Sequence, residues 1–529
     1  MEPLETLNET EWDVVIAGTG IQQSLLALAL SRSEKRILHV DKNDYYGGAE
    51  AALSLQEAES WVQSVQKDNS TVLFTDAKIE QAPNVDEEDG PKLGFSRAYS
   101  LALAPQLIYT ESKLLGHLVS SKVYRQLEFL AMGNWWVYTT DTSTTNSLQS
   151  TSEQEHKNGK LVKVPTTRED VVFSDKSVDL RSKRAVMKVL RFLMDYEQQT
   201  ELWEPYSMQP LPTFLTEKFK LPTSLHNLFL ALTLSPDTPA NTTTAYALSR
   251  IARHLRSTGR LGAGFSSVIP KWGGLSELAQ VSCRAGAVGG AVYVLGKGIA
   301  GSPTPAPTKE NVSTPLNAIQ LDGGDAVNTA WIVGSEADLP RSPTNLSPTR
   351  TCSRSISIIS GPLTSLIHEA LAEGATPSTT PIGGTVIVFP SGSLNGFADT
   401  PPVYLIVHSD AMGECPRGQS VIYASTSGKQ EINALAVDCL LRQVAAEPVP
   451  KVLWTMQYEQ HAGSWQEDEA VEHEGVITMK PSSLDLVFDE NILSEVESAW
   501  KKVLGDDAGT FLTFEDRNSV GDDDDGDEA

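Results

Sequence analysis

The chain has 529 residues, 40% of them hydrophobic, and a formal charge of −26, enough apolar material for more than one core and one or two domains. Such an acidic balance argues against nucleic acid, whose phosphates need a concentrated positive field, and disfavours adhesion to anionic membranes. No N-terminal signal peptide and no apolar run of about eighteen residues stand out, so a cytosolic protein is expected.

From Trp12 to Glu50 the chain reads as a βαβ beginning. Val14 to Ala17 is a short buried strand, Gly18, Thr19 and Gly20 a tight turn, Gln22 to Arg32 a helix, and Ile37 to Val40 a second strand ending at Asp41. In a dinucleotide site the first two glycines let the backbone approach a pyrophosphate, the third lets helix and strand pack closely, and the acidic residue holds a ribose hydroxyl. Gly18, Gly20 and Asp41 keep that outline, but Gln23 stands where the third glycine belongs. On this segment alone a weakened flavin site and a packed α/β edge without ligand both remain open.

Further along, NWWVY and KLVKVP are β-like and flank a long polar loop from Thr139 to Lys160, the signature of an expanded hairpin. From about Pro165 to Arg260 the period changes to helical: Val186, Val189, Leu190 and Leu193 recur at three and four spacing between Arg181 and Tyr196, with Arg184, Lys188 and Arg191 among them. Helices are also expected over Ser224 to Thr233 and Thr243 to Arg256. Pro/Ser/Thr-rich stretches at Gly301 to Pro315 and Asp338 to Arg350 read as loops. Strands PIGGTVIVFPSG, PPVYLIVHSD, GQSVIYAST and KVLWTMQYEQ return to complete the body, a terminal helix lies within SLDLVFDENILSEVESAWKKVLG, and GDDDDGDEA is a disordered acidic tail without a prenylation box. The four cysteines, Cys283, Cys352, Cys415 and Cys439, are widely spaced and read as reduced thiols rather than bridges or zinc ligands. No catalytic triad and no phosphate-cradling lysine loop appear.

Several separated blocks carry a resemblance. KNDYYGG after Asp41, RAYSLALAPQLIY near Arg97, SSKVYRQLEF near Tyr124, VPTTREDVVF near Phe173 and IPKWGGLSELAQVSCRAGAVGGAVYVL from Ile269 to Leu295 together resemble the family of Rab escort proteins and Rab GDP-dissociation inhibitors. The resemblance implies a flavoprotein-like α/β body (1–164 and 259–500) that binds no flavin or other cofactor and no metal, an inserted, mostly helical second domain (165–258) and the acidic tail (501–529). It further implies a GTPase-binding platform at Tyr46, Glu277, Arg284, Val292 and Val294, and an apolar recess for the GTPase C-terminus at Leu103, Leu107, Leu114 and Leu118. Val186, Val189, Leu190 and Leu193 are implied to shelter lipid. A geranylgeranyl group has roughly twenty carbons, so at about 0.8 kcal/mol per methylene its shelter gains on the order of 10 kcal/mol. Phe173 and Arg184 match the escort pattern for docking onto the geranylgeranyltransferase heterodimer.

The expected function is thus a non-catalytic escort that binds GDP-state Rab, presents it for geranylgeranyl transfer, shelters the lipid and meets membranes only during delivery. A dissociation inhibitor is the alternative within the family. A flavin-dependent oxidoreductase on Gly18, Gly20 and Asp41 is the alternative of another class.

Overall fold

Val14, Val15, Ile16 and Ala17 are apolar toward both sides of the pleat, the pattern of a strand covered on both faces, and in the computed structural model they lie inside a seven-stranded sheet. The structure describes residues 7–67, 73–81, 92–140, 159–165, 179–262, 264–306, 316–340, 350–367, 381–394, 400–444, 449–462, 475–480 and 483–515. Strands Val292–Leu295, Ile37–Asp41, Thr10–Ala17, Ala326–Ser335 and Val476–Met479 run parallel in that order. Asn317–Gln320 adds antiparallel to the first half of Ala326–Ser335, and Thr304–Pro305 adds antiparallel to Asn317–Gln320.

The helix Ile21–Leu30 follows the first strand, and all ten of its residues are buried. Helices Leu275–Val288 and Asn491–Leu504 pack against it, and its leucines share a core with Ile108, Ala131 and Val268 of a second sheet. A helix covered on all sides needs no polar face, which explains its nearly unbroken apolar sequence.

The second sheet has ten strands, ordered Phe74–Gln81, Val452–Ala462, Arg350–Ile359, Ser420–Thr426, Val403–Ser409, Ile382–Phe389, Phe129–Thr140, Ser267–Pro270 and Ile108–Tyr109, with Gly159–Lys163 beside Phe129–Thr140. That last pair is the expected hairpin, with Trp136 opposite Lys163. Its loop, 141–158, lies outside the described residues. Helix Gln430–Gln443 covers one face of this sheet.

A helical layer covers the other face. Helices Leu180–Leu193, Thr200–Trp203, Leu211–Phe219, His226–Thr233 and Thr244–Ser257 follow one another between the strands Gly159–Lys163 and Ser267–Pro270. Asp179 caps the first, its carboxylate accepting from the Ser182 amide at 3.2 Å, and Thr243 caps the last through the Tyr246 amide at 3.4 Å. Such caps satisfy amides that the first helical turn leaves free. Leu193, Phe214 and Ile251 join Ile356, Tyr404 and Met456 of the sheet in one core. The chain is therefore an α/β body with an inserted, mostly helical layer. The expected tail, 501–529, begins too early: 501–504 complete the helix Asn491–Leu504, and Phe511 and Leu512 are buried in the core around Ile21–Leu30, because these apolar residues find partners there, while 516–529 lie outside the described residues.

Candidate functional site

The glycine turn after the first strand is closed by the protein's own acids. Gly18 has φ +86°, and a Cβ there would stand 2.4 Å from Oδ2 of Asp338. Gln23 Nε2 donates to the same oxygen at 3.0 Å, as does Ser335 Oγ at 2.5 Å. At the helix start the Ile21 amide donates to Glu50 Oε2 at 3.3 Å, the place where a pyrophosphate is held in dinucleotide enzymes. Asp41 is fully engaged: Oδ2 accepts from the amide and hydroxyl of Thr19 at 2.7 and 2.6 Å, and Oδ1 from the amide and side chain of Asn43 at 2.8 and 2.9 Å.

Burial raises the Asp338 carboxyl to about 6, with the nearby Asp41 charge acting in the same direction. Burial likewise lowers His39 to about 4, its Nε2 donating to the Gly18 carbonyl at 2.6 Å. A dinucleotide does not fit these residues. Its phosphates would face Glu50 and Asp338, and its ribose would find Asp41 already saturated.

The turn after Asp41 leads to the expected platform. Gly47 and Gly48 take φ +103° and +52°, and a Cβ at Gly47 would meet Ala51 at 2.8 Å and Ser276 Oγ at 3.2 Å. Only glycine lets this loop lie so closely across the start of the helix Leu275–Val288. Tyr46 projects from the loop, half-buried; its phenol is raised by burial and by the neighbouring Cys283. Glu277 and Arg284 sit two turns apart on the helix. Glu277 is half-buried, and desolvation raises its carboxyl while Arg284, exposed, pulls the other way. The structure thus brings Tyr46, Glu277 and Arg284 onto one helix and the loop crossing it.

Val292 and Val294 are on the edge strand beside them but turn inward, packing on the cluster of Trp12, Val15, Leu38 and Val40. Strand alternation sends Tyr293 the other way, its ring 6.5 Å from Tyr46 and 4.7 Å from His39. The alternation VYVL is the signal in the sequence that sets Tyr293 apart from Val292 and Val294.

Of the expected lipid-sheltering residues, Val186, Val189, Leu190 and Leu193 are 4%, 1%, 7% and 0% exposed, sealed between their helix and its neighbours. The expected recess is also closed: Leu103 and Leu107 belong to the core under the helical layer, Leu114 and Leu118 to the core around Ile21–Leu30. An apolar recess and an apolar interior share the same spacing, and here the leucines fill interior. Arg184 lies exposed on the outer face of Leu180–Leu193, whereas Phe173 falls outside the described residues. A cavity of about 720 Å³, which sequence reasoning did not foresee, opens between helical layer, sheet and C-terminal segment, lined among others by Leu234, Tyr246, Tyr404 and Asp485. Among the described residues no group of His, Cys, Asp or Glu is arranged to hold a metal, and no helix is long and apolar enough to cross a membrane.

A family model described as GDP dissociation inhibitor matches residues 7–306. The Rab proteins geranylgeranyltransferase component A of Saccharomyces cerevisiae is 29% identical over 443 residues, covering 83% of this chain and 65% of that protein. The protein of the same name from Candida albicans is 30% identical over 465 residues, covering 83% and 64%. The chain thus spans just under two thirds of the length of these two relatives. Among solved structures, RAB GDI from Plasmodium falciparum superposes with a TM-score of 0.64 at 16% identity, covering 95% of this chain and 100% of that one. An oxidoreductase from Methanosarcina mazei superposes at 0.53 and 11% identity, covering 92% and 100%. The fold is therefore shared with both a RAB GDI and an oxidoreductase.

Proposed function

The chain belongs to the GDP dissociation inhibitor family, and from that premise we propose that it is a Rab escort protein. It binds newly made, GDP-state Rab GTPases, presents them to the Rab geranylgeranyltransferase heterodimer, shelters the attached geranylgeranyl lipid and delivers the product to membranes from the cytoplasm. The observation that carries this reading is the convergence of Tyr46, Glu277 and Arg284, all inside the matched residues, on one loop-and-helix surface. A phenol, a carboxylate and a guanidinium around a partly apolar centre suit a protein interface. The relatives named as component A of the transferase favour an escort over an inhibitor.

The chain performs no bond chemistry in this reading, and the zinc and prenyl donor belong to the transferase. Filling of the glycine turn by Glu50 and Asp338 supports a binding role for a fold shared with an oxidoreductase. Lipid shelter requires movement, because the residues proposed to line it are packed shut. The helix Leu180–Leu193 must part from Leu211–Phe219 and Thr244–Ser257, its neighbours here, before a prenyl chain replaces their contacts.

A dissociation inhibitor that only extracts and recycles prenylated Rab is the second reading, favoured by the likeness to RAB GDI across 95% of the chain. Gel filtration of the protein with unprenylated, GDP-loaded Rab tests the shared premise. A stable complex is expected, and its absence would remove both readings.

A further inference from the structure

Three successive residues, Trp272, Gly273 and Gly274, have φ of +63°, +122° and +63°. Glycine adopts these values freely, but a tryptophan does so only when its surroundings dictate it. Here they do. The Trp272 amide donates to the Met412 carbonyl at 3.0 Å, and Ser100 Oγ donates to the Trp272 carbonyl at 2.7 Å. Gly413, itself at φ +73°, lies against the indole so closely that a Cβ would stand 2.5 Å from Cδ1. Lys271 Nζ sits 4.7 Å from the ring centroid and is fixed by Glu128 at 2.9 Å. The turn that carries Gly413 is anchored in turn by buried Glu414, which accepts from Tyr423 at 2.8 Å and pairs with His408 at 2.7 Å.

All this support does not bury the residue, which is 42% exposed. Trp272 also stands three residues before the start of the helix Leu275–Val288 that carries Glu277 and Arg284. A Cβ on the adjacent Gly273 would meet Ala52 at 2.5 Å and Ser100 at 3.0 Å, and Ala52, Ser100 and Arg97 line a surface cleft beside it. Buried Gly273 and Ser276 connect Trp272 to the loop that carries Tyr46: Cβ atoms added at Gly273 and Gly47 would stand 3.8 Å from Ser276 Cβ and 3.2 Å from Ser276 Oγ.

We propose that Trp272 is a partner-binding residue: its indole seats in an apolar hollow on the globular domain of the Rab-class GTPase held by Tyr46, Glu277 and Arg284. Large aromatic side chains beside polar contacts are the usual anchors of such interfaces. The inference rests on the platform reading of the previous subsection.

The test exploits the backbone. Trp272→Gly and Trp272→Asn both suit a positive φ, so each removes the indole without adding backbone strain, while Trp272→Phe keeps an aromatic ring. Binding of GDP-loaded Rab and thermal unfolding are measured for all three and for Tyr46→Ala. Losses of at least about 30-fold in affinity for Gly and Asn, with no fall in thermal midpoint and with Phe within about 5-fold of the parent, are expected. Parent-like binding by Gly and Asn would overturn the proposal, as would a joint fall of midpoint and binding in both, the mark of a purely structural residue. Lost binding in Trp272→Gly but not in Tyr46→Ala would leave the Trp272 contact standing and remove the platform reading; unchanged binding in every variant would remove both.

Discussion

Gln23 donates from Nε2 to Oδ2 of Asp338 at 3.0 Å, closing the glycine turn with a long side chain and an acid where a dinucleotide needs open donors. The Asp338 carboxyl is raised from 3.8 to about 6, chiefly by burial. A raised carboxyl contributes stability that is fully present below its unfolded value and is lost as pH climbs through the folded one. Asp338→Asn keeps an acceptor for Gln23 and removes the charge. It should change stability little near pH 4 and raise it by about 1–3 kcal/mol near pH 7.5, read by urea unfolding at the two pH values. Equal destabilisation at both would show that the charge is not the strained element.

Arg250 joins the helical layer to the body. It donates to both oxygens of Asp485 at 2.5 and 2.6 Å and to the Thr233 carbonyl at 2.6 Å, with side chains only 19% and 22% exposed. Removing one partner leaves the other charge poorly solvated, so Arg250→Met or Asp485→Asn should each cost about 2–4 kcal/mol. The double variant should lose clearly less than the sum of the two in denaturant melts. Simple additivity would mean that the bidentate pair is not what couples layer to body.

The partial exposure of Tyr46 and the exposure of Arg284 separate binding from folding. Tyr46→Ala and Arg284→Ala should weaken GDP-loaded Rab by about 10-fold or more, with thermal midpoints close to the parent. Calorimetric titration that finds both variants at parent affinity would take the platform off this surface.

Opening of the helical layer has a direct signature in amide exchange. Val189 and Leu193 are 1% and 0% exposed, so the helix Leu180–Leu193 should be protected in the free protein. Geranylgeranylated Rab should change exchange along that helix and its neighbour Leu211–Phe219, whereas unprenylated Rab should leave it alone. Identical exchange with the two Rab forms would place the lipid elsewhere.

The opening βαβ unit was legible because a parallel strand buried on both faces has to be apolar throughout, as Val14 to Ala17 are, and because Gly18, Gly20 and Asp41 fall at fixed offsets. What fills the turn was not legible. Glu50 and Asp338 reach it only through tertiary folding, Asp338 from 315 residues beyond Gln23, and no local pattern announces such a partner. The helices around Val189 and Ile251 were visible in their spacing, since one buried face repeats every three or four residues. That same spacing could not tell the sealed Leu103, Leu107, Leu114 and Leu118 from the lining of an open recess. Tyr293 was missed, and Val292 and Val294 preferred, for want of the strand's register; pairing of Val294 with Val40 sets which side faces Tyr46.

The central claim is escort activity, and reconstituted prenylation tests it most directly: unmodified Rab, purified transferase heterodimer and labelled geranylgeranyl diphosphate, with and without this chain. Lipid transfer that depends on the chain is the predicted result, reduced at least about 10-fold by Phe173→Ala or Arg184→Ala while Rab binding persists. Binding of Rab with no gain in lipid transfer would contradict it.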